Sequence, residues 1–496
     1  MKKKLFMALA LAATCAAQAQ TLRIGLAEDP DVLDPTLARS FVGRIVFSAL
    51  CDKLFDIDDK LNPVPQLATS FQWAADNKSL TIKLRSGVSF HDGEKFDAAA
   101  VKFNIDRHKN LAGSNRRGEL APVTTVDVID DLTARINLSA PFSPLLTVLA
   151  DRAGMMVSPK AAQANPTGFG AKPVCSGPFK FTERVAQDRI VLERFPNYWN
   201  KSQIHFDKVV YLPIVDATVR LANLRSGQLD LIERVAPSDV ASIKKDAKLS
   251  MARITELGYQ GITINTRKGD GKNPLAQDRR VREAFELSLD RAGIVQVAMD
   301  GEATPGNQWV PPSNQFYAKN VPMPKRDIAR AKALLKEAGI PNPTFTLMTP
   351  TTSDGQRVAQ VVQAMAKDAG FNVKIQSTEF ATSLNLADKG QFDAYVLAWS
   401  GRADPDGNLF SFYGCKQPLN YSGECRPLWD DLLNRSRNTL DTSGRIKVFA
   451  TLAAEAAQEI PIVYLYHRNW LWAYNKKLSG LKTIPDGLIR VQGVKM

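Results

Sequence analysis

The N-terminus constrains what this chain can become more than any other segment. Lys2, Lys3 and Lys4 precede an apolar run from Leu5 to Ala13, and Ala17-Gln18-Ala19 places small residues at the −3 and −1 positions of a cleavage site. That is the pattern of an export signal, so about the first 19 residues (1–19) stand outside the fold. A lipid anchor on Cys15 is the alternative, but Ala12-Ala13-Thr14 lacks the leucine and small-residue pattern that usually goes before such a cysteine. The run is too short to stay in a bilayer as a helix, and no later segment approaches about 20 uninterrupted apolar residues. The exported chain is expected to be soluble and periplasmic, with the signal cleaved after about Ala19.

Export also changes what the cysteines mean. Without Cys15 four remain, and an even number in an oxidising compartment favours disulfides over thiol chemistry or zinc. Cys415 and Cys425 flank a short turn-rich segment and are paired first; Cys51 and Cys175 then pair by default, with buried free thiols as the other possibility. The formal charge of +13 falls to +10 without the three leader lysines and is spread along the chain, so a nucleic-acid partner is not expected.

Periodicity gives a mixed α/β chain. Leu22, Ile24 and Leu26, and again Leu80, Ile82 and Leu84, alternate with polar residues as in half-buried strands. Asp97 is placed to cap a helix that begins at Ala98. Residues 189–195, 208–214 and 260–265 read as strands, whereas Val281, Ala284, Phe285, Ser288 and Leu289 keep helical spacing. Asp327 caps a second helix that Gly339 and Pro341 end, and Ser353 with Gln356 has the spacing of a capping box opening a third, to about Ala369. Strands over 371–376 and 392–399 complete a β-α-β rhythm, which implies parallel pairing.

Several segments in one order, across nearly the whole exported chain, carry a resemblance. They are Leu33-Asp34-Pro35, the stretch from Lys83 to Arg107 that contains Phe90-His91-Asp92-Gly93, Ser176-Gly177-Pro178-Phe179, Asn197-Tyr198-Trp199, Arg279 to Ala284, Ala331 to Gly339, and Asp404-Pro405-Asp406. The chain thereby resembles the peptide and nickel class (family 5) of extracytoplasmic solute-binding proteins that serve ABC importers, dipeptide- and glutathione-binding proteins among them. The resemblance implies a two-lobed periplasmic-binding-protein fold with an extra third domain, of the class II or cluster C type. It implies a core domain of lobe 1 over 20–63, 176–264 and 474–496, an extra domain over 64–175, and lobe 2 over 265–473. The chain would then cross between lobes near Thr266 and Tyr474. It further implies a non-enzymatic, monomeric binder without a cofactor, which delivers a short peptide or peptide-like solute to permease subunits at the membrane. A non-peptide solute (glutathione-like, opine, oligosaccharide or nickel complex) is the alternative.

A zwitterionic peptide needs both of its charges paired on leaving water. By resemblance to dipeptide binders, Asp404 would hold the ammonium and Arg357 the carboxylate. A guanidinium suits the second task because it offers two parallel hydrogen bonds. Arg402 departs from the dipeptide pattern, putting a positive charge beside the ammonium site, and would suit an acidic side chain or a second carboxylate. Its plain reading is a surface arginine paired with Asp406. Trp399 and Phe41 are candidates for aromatic lining, with core packing as the other possibility. Ser40 and Tyr259 follow only from their position in segments that face the cleft in relatives. Asp404, Asp406 and Asn408 begin like a calcium loop, but Leu409 stands where glycine is needed and Cys415 where glutamate is needed. The histidines have no zinc spacing, His467 being the one nickel candidate, and no catalytic motif is present.

Overall fold

The computed structural model describes residues 20–496 apart from positions 268 and 270, and omits the side chains of Ser353 and Ala381. The leader and Cys15 lie outside the described residues. The strand Thr21–Leu26 forms where expected, with Leu22, Ile24 and Leu26 almost wholly buried. It lies parallel to Lys208–Pro213 and to Leu231–Ile232, and the antiparallel strands Arg189–Arg194 and Phe179–Val185 extend the sheet outward. The helix Phe41–Leu50 packs into the same core.

The segment inserted after this first core makes its own antiparallel sheet, in the order Ala68–Trp73, Ser79–Leu84, Thr133–Leu138 and Val123–Asp130. Leu80, Ile82 and Leu84 point inward, under the helix Ala98–Asn110, which Asp97 caps by accepting the Ala100 amide at 2.9 Å. This second core holds residues from Leu54 to Met156 together with Ile484, and is separate from the first.

The remaining sheet follows the β-α-β rhythm. Thr344–Pro350 runs parallel to Asn372–Thr378 through the helix Ser353–Lys367, and parallel to Ala394–Trp399. Asp327 caps Ile328–Glu337 as expected. The capping box does not form as read: Thr352 is the cap, accepting the Gly355 amide, and Ser353 is the first helical residue. Arg279–Leu287 is capped by Asp278 and ends before Leu289, which is nonetheless fully buried.

One strand joins the two large sheets. Ile462–Asn475 pairs through residues 462–466 with Tyr259–Ile264 and through residues 469–475 with Leu249–Thr255. The apolar cores change at the same places: Ile462 and Tyr464 pack with Tyr259, whereas Trp470 and Trp472 belong to the first core. Thr266 is bonded inside the second lobe, to the Ser422 carbonyl and to Glu424. Tyr474 pairs with Leu231 in the first. The strand partners of Ile462–Asn475 thus change between Tyr466 and Asn469.

Two disulfides are present. Cys51–Cys175 ties the end of helix Phe41–Leu50 to the point where the chain returns from the inserted domain, and Cys415–Cys425 closes a loop of lobe 2.

Candidate functional site

Loops from all three units converge on Asp151. This residue precedes the short 3-10 turn Arg152–Gly154 of the inserted domain. Arg44, on helix Phe41–Leu50 of the first core, donates from Nε to Asp151 Oδ1 at 3.0 Å. Arg402, on the loop after strand Ala394–Trp399 of lobe 2, reaches Asp151 Oδ2 from the other side at 3.1 Å. The pair spans the lobes, and both side chains are largely shielded, at 17% and 10% exposure. Burial alone would raise the Asp151 carboxyl, but Arg44, Arg402, Arg152 and Arg116 together hold it well below the usual range. The same crowding works on the cations: burial first, then the neighbouring Arg116, push Arg152 down, and burial brings Arg402 to about 10.

Other contacts close the lobes beside this cluster. The Ser143 amide donates to the Arg437 carbonyl at 2.8 Å, and its hydroxyl donates to the Ser436 carbonyl at 3.1 Å. Ala403 packs against the core of the inserted domain. The loop that carries Arg402 lies tight on the crossing segment: a Cβ at Gly258 would sit 1.7 Å from the Trp399 carbonyl oxygen, and Gly401 adopts φ +81°.

A second charged group lies beside Phe41. The Phe41 ring stacks on Trp470 at 4.4 Å, and the Arg234 guanidinium stands 5.3 Å above it. Arg234 pairs with Glu28 and Glu233, each at 3.2 Å. From lobe 2, Arg357 donates to Asp354 at 2.8 Å, and Asp354 lies 3.8 Å from Arg468 on the crossing strand. Arg357 is thus held by its neighbour one helical turn back, with its side chain 41% exposed and its Nε buried without a partner.

The candidates named from the sequence fall into three groups. Arg402 and Trp399 come together, the guanidinium 4.7 Å from the ring centroid, while the indole N–H donates to Asn408 at 3.0 Å. Arg402 pairs with Asp151 across the lobes, and its expected surface partner Asp406 is instead taken by Arg437. Phe41 and Arg357 belong to the second charged group. Asp404, Ser40 and Tyr259 have their side chains committed elsewhere. Both Asp404 oxygens accept from Arg445 at 2.6 Å, which neutralises the carboxylate inside lobe 2. The Ser40 hydroxyl donates to Asp31 at 2.7 Å and caps helix Phe41–Leu50. Tyr259 is 2% exposed, its ring against Phe412 and Tyr464, in the core that Trp399 packs against. His467, the nickel candidate, is fully buried; its Nδ1–H donates to the Gly258 carbonyl at 2.6 Å.

Sequence reasoning missed Asp151, Arg44, Arg116 and Arg152. Their signal is three-dimensional, because Arg44 lies in the first core and Arg116, Asp151 and Arg152 in the inserted domain, and the packing of the two makes them neighbours.

Comparison with known proteins agrees with this architecture. The family model for "Bacterial extracellular solute-binding proteins, family 5 Middle" matches residues 62–420. The glutathione-binding protein GsiB of Escherichia coli O1:K1 / APEC is 28% identical over 492 residues, covering 97% of this chain and 95% of that protein. GsiB of Pectobacterium atrosepticum is 28% identical over 471 residues, covering 92% and 90%. Among solved structures, the binding protein AgaA from A. tumefaciens R10, in complex with agropinic acid, superposes with a TM-score of 0.85 at 27% identity, covering 96% of this chain and 98% of that one. A dipeptide-binding protein from Pseudoalteromonas sp. SM9913, in complex with Met-Leu, shares the fold, with a TM-score of 0.86 at 21% identity and coverage of 96% and 100%. With most of its length matched by the family model and its lobes built on the same plan, the chain belongs to family 5 of the bacterial extracellular solute-binding proteins.

Proposed function

We propose that the protein is the periplasmic substrate-binding component of an ABC importer, which closes its lobes around a short peptide or peptide-like solute and hands it to the permease. The observation that carries this reading is the pairing of charges from opposite lobes, Arg402 with Asp151, with the Trp399 ring against the Arg402 guanidinium. A ligand favours the closed form only by the extra contacts it makes there, so charged groups contributed by both lobes are what closure requires. Arg357, half exposed and with an unpartnered Nε, is the proposed carboxylate partner. Asp404 would meet an ammonium only by sharing oxygens that Arg445 already holds.

The proposal includes cleavage of the leader after about Ala19, a monomeric shuttle, no cofactor and no chemistry on the cargo. Native mass spectrometry of protein purified from the periplasm without ligand exchange reads the cargo directly. A peptide-sized adduct released unchanged is expected. A chemically altered product after incubation would overturn the binder, and a carbohydrate or a metal complex would overturn the peptide.

A further inference from the structure

We infer that the arginine cluster around Asp151 is an anion subsite of the cleft, which takes a carboxylate of the cargo in addition to its C-terminal one, so that the cargo is an acidic peptide-like compound. This rests on the reading that the cleft accepts a peptide-like solute. Four guanidiniums, those of Arg44, Arg116, Arg152 and Arg402, are gathered there, and the carboxylates facing them are Asp151 and Glu119. Two positive charges are left over in a place where Arg44, Arg116 and Arg152 are each 5% exposed or less. Uncompensated buried charge is costly, and proteins rarely keep it without a counter-charge to meet.

The hydrogen-bonding capacity is also unspent. Backbone carbonyls take part of it: Ala38 accepts from Arg152 at 2.8 Å and from Arg116 at 3.3 Å, and Gly401 accepts from Arg402 at 2.8 Å. Arg44 Nη1, Arg116 Nε and Arg152 Nε remain buried with no partner. Guanidinium donors in fixed, planar forks match a carboxylate better than any neutral group, and such charge-assisted bonds are the stronger kind. Arg402 adds selectivity by position, because it joins the cluster from lobe 2. A cargo carboxylate lodged there is gripped from both lobes, whereas an ammonium would be repelled. Asp151 fixes Arg44 by accepting from its Nε.

The test is calorimetric titration of the mature protein, freed of cargo, with matched peptides carrying Glu or Gln at each position in turn, and with glutarate as a dicarboxylate lacking a peptide unit. At one position the Glu peptide is expected to bind at least about tenfold tighter than its Gln partner. In Arg402→Gln that ratio should fall at least about fivefold; the ratio is the readout because general loosening of the cleft moves both affinities together. Arg44→Lys, which keeps the charge and removes the fork, reads the same ratio if Arg402→Gln does not fold. Equal affinities within every pair, or a ratio untouched by both variants, would overturn the subsite while leaving a peptide binder intact. Glutarate binding without any peptide would retain the subsite and discard the peptide cargo. Binding of none of these probes would overturn both.

Discussion

Arg445 grips both oxygens of Asp404 at 2.6 Å, in a place where the two side chains are 7% and 10% exposed. Removing one member leaves the other charged and dry, so Asp404→Asn is expected to cost about 3–5 kcal/mol in urea unfolding of cargo-free protein. Replacing both residues with apolar ones should recover most of that loss. A destabilisation below about 1 kcal/mol would mean that the pair is not the main task of Asp404. His467 supplies a pH test. Burial holds it down to about 4, with its proton on Nδ1 toward Gly258 and its Nε2 without a partner. The unfolded chain takes up that proton near pH 6.5, where the folded one refuses it. The stabilising contribution is therefore complete above about pH 6.5 and is lost, at up to about 1.4 kcal/mol per pH unit, as pH falls toward 4. Melts of His467→Gln across that window should show a shallower slope than the parent; an equal slope would assign the acid sensitivity to other groups. At this scale the sequence is readable where a side chain acts on its own neighbourhood, as Asp97 and Asp327 do in capping their helices. It is unreadable where the partner is distant: nothing near Asp404 announces Arg445, and nothing near Arg402 announces Asp151.

Elements were legible to the extent that one face of each meets a single core. The alternation at Leu22, Ile24 and Leu26 and the β-α-β rhythm from Thr344 to Trp399 both reappear as paired strands. The strand Ile462–Asn475 is different, because its two halves pack against different cores and its sequence marks no break between them. The place where the strand changes partner was therefore set by tertiary pairing, and a local pattern had no means of carrying it. The disulfides follow the same division. Cys415–Cys425, ten residues apart, is suggested by proximity, whereas Cys51–Cys175 spans 124 residues and joins elements that only the fold brings together. In the chain-entropy model the long closure stabilises by about 5 kcal/mol and the short one by about 3 kcal/mol. Urea unfolding of the two double-alanine variants should rank them in that order. The opposite order would show that native-state contacts around Cys415 and Cys425 outweigh loop length.

For the whole molecule the decisive quantity is the balance between open and closed lobes, which contacts between the lobes set. Besides the Asp151–Arg402 pair, Ser143 bonds the backbone of lobe 2 twice, through its amide to Arg437 and its hydroxyl to Ser436. These bonds exist only when the lobes meet, so they contribute to cargo affinity and not to the folding of either lobe. Ser143→Ala removes the hydroxyl bond and keeps the amide one. A neutral hydrogen bond has a net value of about 1 kcal/mol, which weakens the closed complex by about fivefold. Thermal unfolding of the cargo-free protein should be unchanged, since the open form never makes the bond. Small-angle scattering supplies the matching measurement: cargo should reduce the radius of gyration of the parent, and the variant should need a higher cargo concentration to reach the same value. A variant that melts earlier without cargo, yet closes at the parent's concentration, would place Ser143 among the residues that hold the inserted domain together and remove it from those that govern closure.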